Sequence, residues 1–543
     1  MKKFIQMTLG NDAYRGFRAQ GIRFESSFRS LRNQCLQRIT NKNISVPSVD
    51  VVVRRGVSWQ VVSDLTVADA LEANFNLVRR AFNNANVSWW LVEGTPGKTI
   101  VLGVDSKHRS AVLAALAKLG NAHLAYSTVV GSEVLLRHIS KIQGAPEFAE
   151  AGVIAVLEPK VVQHSTLQLG LEASCQIEFW DTSDTAGIQA PRENRASMAL
   201  SKDDFHLVPT TFLDVPAMIP SVLTKRMLDD VVFPVDAVYT WVDGEDPAWL
   251  ESKRRTEAEV AGVEYHGEAN HAARFRSRDE LKYSLRSLEM YAPWFRKIFI
   301  VTAGQVPDWL DTSNPKIQLI DHKDIYPESG FLPTFNSNSI ISRLHHIEGL
   351  SEHYVYINDD VFFGRALSKD RFFLPNGIAK VSPSNNRRPF GDPTAQDEPH
   401  FNLTRNMRIL LEERFGITIS RAIKHTPHPQ LRSVHFEMEE AFREVYEQTW
   451  ASRFRHHTDI VADQLHHYYA QIVGKAVPTN LRYNYINILD DKYKATMDNT
   501  LRLRHRDTFC INDAPVEGAT PIPEEQVTEF LDAYFPVKSS FEK

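Results

Sequence analysis

The sequence predicts an α/β protein: a mainly parallel sheet with flanking helices in the C-terminal part of the chain, preceded by a smaller α+β accessory domain. Two observations carry this. From Pro234 the apolar runs VDAVYTWV, KIFIVT, KIQLID and HYVYIND alternate with helical patterns, and strands alternating with helices build parallel sheets. Within those patterns Leu281, Leu285 and Leu288 recur at i, i+4 and i+7, as do Ile340, Leu344 and Ile347, the spacing that gathers apolar side chains on one helical face. Ligands of such sheets bind beyond the carboxyl ends of the strands, so the polar residues after each strand matter most for function.

The elements follow in order. Residues 1–60 are polar and basic with little periodicity, ending in the apolar run Val49 to Val53, and support no functional reading. Residues 61–205 read as the α+β domain: an amphipathic helix near 67–83, strand-like SWWLVEG and TIVLGV, a helix over SKHRSAVLAALAKLG, then GVIAVLEP and CQIEFW. The stretch 183–205 is rich in small and polar residues and marks a boundary. Residues 206–543 read as the α/β domain that carries the parallel sheet.

Length and composition bound the function. The chain has 543 residues, room for two to four domains at roughly 150 residues each. Hydrophobic residues make up 43% and charged residues 24%, values of a globular protein, which excludes disordered and coiled-coil classes. Lys+Arg number 62 against 67 Asp+Glu, a net charge of −5, so bulk charge predicts no nucleic-acid partner and an anionic ligand needs a local site. Cys35, Cys175 and Cys510 are odd in number and far apart, which supports neither a disulfide framework nor a CxxC metal site and fits a reducing compartment. No signal peptide and no transmembrane helix are expected, because the N-terminus is broken by Asn11, Asp12 and Arg15 and no uncharged apolar run is long enough. The sequons at Asn43, Asn86 and Asn402 would matter only in a secreted protein.

Several motifs carry chemistry. EGTPGKT at 93–99 imitates a phosphate-binding loop, but only two residues separate Gly94 from Gly97 and a strand-like run follows, so a hairpin turn is expected. In YVYINDDVFFG a strand ends at Asn358, Asp359 and Asp360 and an apolar run resumes. Adjacent carboxylates amid apolar residues call for a hard divalent cation, Mg²⁺ or Mn²⁺, bridged to a diphosphate; an acidic turn in a β-hairpin is the plain alternative. VDAVYTWVDGEDPAWL ends the first strand with Trp241, Asp243 and Asp246, either an ordinary Asp-Gly turn or an aromatic surface and carboxylates lining a nucleotide site.

HTPHP and FRHHTD place His425, His428, Arg455, His456 and His457 around a helix starting near Val434, and Pro427 and Pro429 exclude a helical HxxxH zinc site. The paired histidines at 345–346, 456–457 and 466–467 are expected to be solvated or capping residues. A His and an Arg sharing a cleft with acidic metal ligands would suit phosphoryl chemistry. RHRDTFCINDAP ends a last apolar run in Asn512 and Asp513, a turn or a helix cap by default.

Taken together, DAVYTWVDGEDP, LKYSLRSLEMYAPWFRKIFIVTAGQVPDWL, LPTFNSNSIISRLHHIEGLSEHYVYINDDVFFG, HTPHP with FRHHTD, and FCINDAP resemble, in order, the blocks of the stealth family. That family includes bacterial capsular and exopolysaccharide phosphotransferases and the catalytic subunit of the lysosomal-enzyme N-acetylglucosamine-1-phosphotransferase. The resemblance covers about residues 234–515 and not the first 230. It implies a glycosyltransferase-A-like catalytic fold that moves a sugar 1-phosphate from a nucleotide-diphosphate sugar donor, such as a UDP-linked hexose or N-acetylhexosamine, to a hydroxyl of a glycan acceptor. It further implies substrate-binding roles for Asp236, Trp241, Asp243, Arg286, Asn336 and Asn358, metal ligation by Asp359, Asp360 and Asp513, and catalytic roles for His425, Arg455, Asp360 and Asp513. One position departs: similar proteins usually carry an acidic residue after the isoleucine of the TFNS-x-x-I segment, and here Ile341 follows Ile340.

The expected protein is therefore a cytoplasmic bacterial-type sugar-phosphate transferase, peripheral at most to the inner face of the membrane. Its rivals are a conventional metal-dependent glycosyltransferase releasing nucleoside diphosphate and an inactive carbohydrate-binding protein. In the expected scheme His425 takes the proton of the acceptor hydroxyl and Arg455 neutralises phosphate charge, with covalent phospho-His425 as a variant. The sequence sets no oligomeric state.

Overall fold

The computed structural model describes residues 50–54, 56–95, 98–132, 135–163, 165–183, 187–260, 278–327, 331–394, 399–514 and 524–543. The readings that fall on residues 1–49, with Cys35 and Asn43, and on Gly97 lie outside the described residues. The chain divides into two compact units, Met1–Met227 and Leu228–Lys543.

In the N-terminal unit, Thr66 and Asp69 form a capping box that starts a helix over Val67–Asn84. The helix buries Leu71, Phe75, Val78 and Phe82 in a core shared with strands Ile100–Asp105, Val153–Leu157 and Cys175–Ser183. The last of these pairs parallel with Ile100–Asp105 and antiparallel with Val153–Leu157, a mixed α+β arrangement. Trp90–Glu93 pairs antiparallel with Ile100–Asp105, so EGTPGKT joins two strands of a hairpin and no helix opens behind it.

The C-terminal unit is built on strands β1 (Val235–Thr240), β2 (Ile298–Thr302), β3 (Ile317–Asp321), β4 (His353–Asn358) and β6 (His428–Leu431). They stand in the order β3-β2-β1-β4-β6, all parallel except β6. Parallel sheets are covered on both faces, and Val235, Ala237, Val238, Ile298, Ile300, Val355 and Ile357 are fully buried. This confirms the expected α/β class. The chain runs outward from β1 through β2 to β3 and then returns to the other side of β1 for β4. That reversal opens a crevice at the carboxyl ends of β1 and β4, where Thr240 is in register with Asn358.

A second sheet adjoins it. Strand β5 (Val361–Phe363) pairs antiparallel with β8 (Thr508–Asn512), which pairs parallel with β7 (Tyr483–Asn487). Asp359 and Asp360 are thus the junction between two sheets, not the turn of a hairpin. Helix α1 (Pro247–Glu259) follows β1, capped by Asp246, whose carboxylate accepts from Ala248 N. Helix α2 (Glu280–Tyr291) buries Leu281, Leu285 and Leu288 as expected. Its Ser284 hydroxyl donates to Val361 O at 2.6 Å and its Ser287 hydroxyl accepts from Phe363 N at 3.0 Å, which pins β5 beside the junction.

The second helical pattern breaks into α3 (Ser337–Ile341) and a single turn at Leu344–His346. The Ser342 hydroxyl bonds back to Ser339 O, a competition with the helical ladder that serine readily wins. Ile340 is half-buried and Ile341 is buried. Helices α4 (Arg432–Ala441) and α5 (Ala462–Ile472) pack together beside β6, and α6 (Glu524–Tyr534) covers the far side of the second sheet through Phe530 and Tyr534 against Phe509.

Candidate active site

The junction after β4 organises the site. Tyr356 and Asn358 share a face of β4, and the Tyr356 hydroxyl donates to Asn358 Oδ1 at 2.8 Å while standing 3.0 Å from Thr240 Oγ1 on β1. Asp360 meets Nε2 of His425 at 3.0 Å through Oδ1 and 3.2 Å through Oδ2. The other ring nitrogen, Nδ1, faces the Asn358 amide at 3.4 Å. Asn512, at the end of β8, donates to Asp360 Oδ2 at 3.4 Å, and Ile511 N donates to Asp360 O at 3.1 Å. The Asn-Asp order at 512–513 therefore comes to stand beside Asn358 to Asp360, because β5 and β8 are neighbours.

The electrostatics are those of crowded negative charge. Burial, followed by repulsion from Asp360 and Glu280, pushes Asp359 well above the usual carboxylate range. Burial also raises Glu280, against the pull of the Arg278 guanidinium and backbone amides. Burial pulls the His425 imidazole down, but the charge and hydrogen bond of Asp360, with Asp463 and Asp359 behind it, raise it above its ordinary value. Among the described residues no lysine or arginine pairs with Asp359 or Asp360. Hard carboxylate oxygens with unbalanced charge suit Mg²⁺ or Mn²⁺, so the residues fit such an ion.

Asp513, expected with them, is drawn elsewhere: its Oδ2 accepts from Arg278 Nη2 at 3.2 Å, and Arg278 also holds Glu280 at 3.2 Å. The expected ligand Asp513 thus has one carboxylate oxygen committed to Arg278. Among the described residues, the metal-capable group whose atoms lie within 4.8 Å of one another is His345, His346 and Glu439, and there the carboxylate also receives Arg343 at 2.7 Å.

Trp241 and Asp243 follow β1 at the same end of the sheet. Trp241 N donates to Val301 O at 3.0 Å, and Gln305 clamps Asp243, accepting from its N at 3.1 Å and donating to its O at 2.9 Å. Arg455 lies by α3, with Nη2 donating to Ser337 Oγ at 2.6 Å.

Three other expected substrate-binding residues serve the fold. Asp236, fully buried, begins β1 at the end opposite the crevice and accepts from Arg296 at 2.8 and 2.6 Å and from Ser351 N at 2.8 Å. Arg286 makes a two-pronged pair with Glu542 at 2.8 and 2.7 Å and donates to Phe535 O at 3.0 Å, tying α2 to the C-terminal tail. Asn336 is fully buried; its amide donates to Asp459 at 2.7 Å and to Ser452 O and Phe454 O, while its oxygen caps α3. Their bonding capacity is spent inside the protein.

The paired histidines also depart from expectation: His345, His466 and His467 are fully buried, whereas the His456 ring does make a local capping contact with Thr458. Sequence reasoning missed Arg278 and Glu280 as neighbours of the acidic cluster. Their string RSRDEL reads as a helix start, and nothing local shows that Arg278 meets Asp513 from 235 residues away.

The chain matches the family models described as Stealth protein conserved region 1 over residues 233–261, region 2 over 274–381, region 3 over 424–471 and region 4 over 498–543. It is 39% identical over 488 residues to the exopolysaccharide phosphotransferase SCO6023 of Streptomyces coelicolor, covering 87% of this chain and 82% of that one. Against SCO2592 of the same organism it is 37% identical over 498 residues, 89% of this chain but 52% of the relative, so it spans about half of that protein's length. Exopolysaccharide phosphotransferase CpsY of Mycobacterium tuberculosis is 33% identical over 499 residues, 91% of this chain and 92% of that one. These matches exceed the length of the C-terminal unit, so the likeness reaches well into the N-terminal unit, beyond the expected limit. Similar solved structures include the galactosyltransferase LgtC, with 11% identity, 55% of this chain and 95% of that chain covered, and a TM-score of 0.28, a score too low to carry an argument. Among the described residues no helix is long and apolar enough to cross a membrane. With four ordered blocks matched and relatives at 33–39% identity over nearly nine-tenths of its length, the chain belongs to the stealth family and is a transferase.

Proposed function

We propose that this chain moves a sugar 1-phosphate from a nucleotide-diphosphate sugar, in the cytoplasm, to a hydroxyl of a glycan acceptor in capsular or exopolysaccharide synthesis. The observation that carries the reading is the contact of His425 with Asp360 at the β1/β4 crevice, beside the uncompensated carboxylate of Asp359. Asp359 and Asp360 would hold Mg²⁺ or Mn²⁺, which when bound offsets charge on the donor diphosphate. Asp360, bonded to Nε2, holds the His425 ring in place as the base. The acceptor oxygen attacks the sugar-bearing phosphorus as the bond to the bridging oxygen breaks. The acceptor proton passes to His425, and nucleoside monophosphate leaves. Arg455 neutralises charge on the attacked phosphate, and Trp241, Asp243 and Asn358 line the donor side of the crevice. Asp513 keeps Arg278 in place beside the acidic cluster. Positioning and charge stabilisation supply most of the catalysis in phosphoryl transfer.

Incubating the purified chain with a panel of UDP- and GDP-sugars, Mg²⁺ or Mn²⁺ and acceptor oligosaccharides tests this. Acceptor-dependent release of nucleoside monophosphate is the expected result. Release of nucleoside diphosphate would mean that the sugar–phosphate bond breaks instead, and no turnover with any donor would point to a binding protein.

A further inference from the structure

We propose that the sheet face beside His425 formed by Tyr483 and Tyr485 is the subsite for the sugar rings of the acceptor glycan, with Tyr485 as its stacking platform. The proposal rests on the phosphotransfer reading and says where the acceptor lies. Alternate residues of a strand share a face, so Tyr483, Tyr485 and Asn487 of β7 stand together, and the parallel register puts Asn512 of β8 beside Asn487 on that face. The Tyr485 hydroxyl donates to Asn512 Oδ1 at 2.9 Å, and the Asn512 amide reaches Asp360, the residue that holds His425. At the other end Lys424, the neighbour of His425 in the chain, stands 5.3 Å over the Tyr483 ring and donates to Leu481 O at 3.0 Å. The face is thus tied at two points to the residues that would activate the acceptor hydroxyl.

Tyr485 remains 44% exposed although its hydroxyl is anchored. A large ring pinned at its tip loses little freedom on binding, and its π face suits the C–H side of a pyranose. The donor diphosphate is claimed by the crevice between β1 and β4. The β7–β8 face reaches Asp360 from the other sheet, where an acceptor can present its hydroxyl to His425.

Steady-state kinetics of the full chain with a donor from the panel above, comparing wild type, Tyr485→Ala and Tyr485→Phe, test the assignment. Tyr485→Ala should raise the acceptor KM about tenfold or more and move the donor KM less than about twofold. Tyr485→Phe keeps the ring but loses its anchor and should raise the acceptor KM by no more than about threefold. Equal loss in Tyr485→Phe would show that the hydroxyl link to Asn512 matters and not the ring, and a donor KM rising in step with the acceptor KM would equally overturn the proposal. Saturation-transfer NMR with gluco-, galacto- and N-acetylglucosamine oligosaccharides, without nucleotide-sugar, separates this failure from that of the reaction. Binding by wild type that Tyr485→Ala loses supports the subsite even if no nucleoside monophosphate is ever released. No binding by wild type, or binding unchanged in Tyr485→Ala, overturns it.

Discussion

His425 and Asp360, 65 residues apart in the chain, meet with the imidazole Nε2 3.0 Å from one carboxylate oxygen and 3.2 Å from the other. The contact joins the loop before β6 to the junction after β4, and with the Asn358 amide at Nδ1 it holds the imidazole in one orientation. His425→Ala should therefore lower the single-turnover rate by about 10²–10⁴, with donor affinity and melting temperature nearly kept. Arg455→Ala should weaken donor binding as well as turnover. Lowered stability with an unchanged rate per folded molecule in His425→Ala would remove the histidine from the mechanism.

Removing the metal tests the acidic pair. Treatment with EDTA followed by gel filtration should abolish turnover, and Mg²⁺ or Mn²⁺ should restore it. In the metal-free protein Asp359 is held against burial and two neighbouring carboxylates. Asp359→Asn should therefore raise the melting temperature by about 1–3 °C in EDTA while eliminating activity. Full turnover without divalent ions would exclude the pair as a metal site.

Arg286 offers the opposite signature. Its partner Glu542 has a side chain only 4% exposed, so Arg286→Ala leaves a buried carboxylate unpaired and should cost about 3–5 kcal/mol of stability. The rate per folded molecule and the donor KM should not change. A raised donor KM with unchanged urea midpoint would return Arg286 to the substrate.

Acid should destabilise the protein through its buried histidines. Burial holds His322 and His345 down to about 4 and His466 down to about 3, for His345 against the pull of Glu439. These folded values lie below the unfolded value of roughly 6.5, so the unfolded chain binds more protons as the pH falls below it. Their contribution is fully present above about pH 6.5 and is lost progressively toward pH 4 and below. Urea midpoints measured from about pH 7.5 down to 4.5 should fall, and His322→Gln should flatten the decline. A pH-independent midpoint would mean that these imidazoles titrate normally.

A fragment beginning at Leu228 should fold alone, because both sheets of the candidate site and all four matched regions lie within Leu228–Lys543. Circular dichroism and a cooperative melt would show it. Aggregation of the fragment would mean that its core is completed by the N-terminal unit.

Local pattern determined the class of fold and singled out the acidic residues at the end of β4. Apolar runs such as IFIVT are continuous because both faces of a parallel sheet are covered, and Leu281, Leu285 and Leu288 name the buried side of α2 before any coordinates are known. The acidic pair at the end of β4 is visible because charged residues interrupting apolar runs are costly unless they serve a site, whereas the His425 loop stands out through its histidines and the resemblance of its block to the stealth family. Tertiary structure alone decided what each charge meets. Asp236 and Asp359 look alike in sequence, yet one is matched by Arg296 at the closed end of β1 and the other stands uncompensated at the open end of β4. Arg286, Arg278 and Asn336 are assigned by partners 256, 235 and 123 residues away, and the energy of a charge depends on those partners and on its distance from water, neither of which a one-dimensional pattern contains.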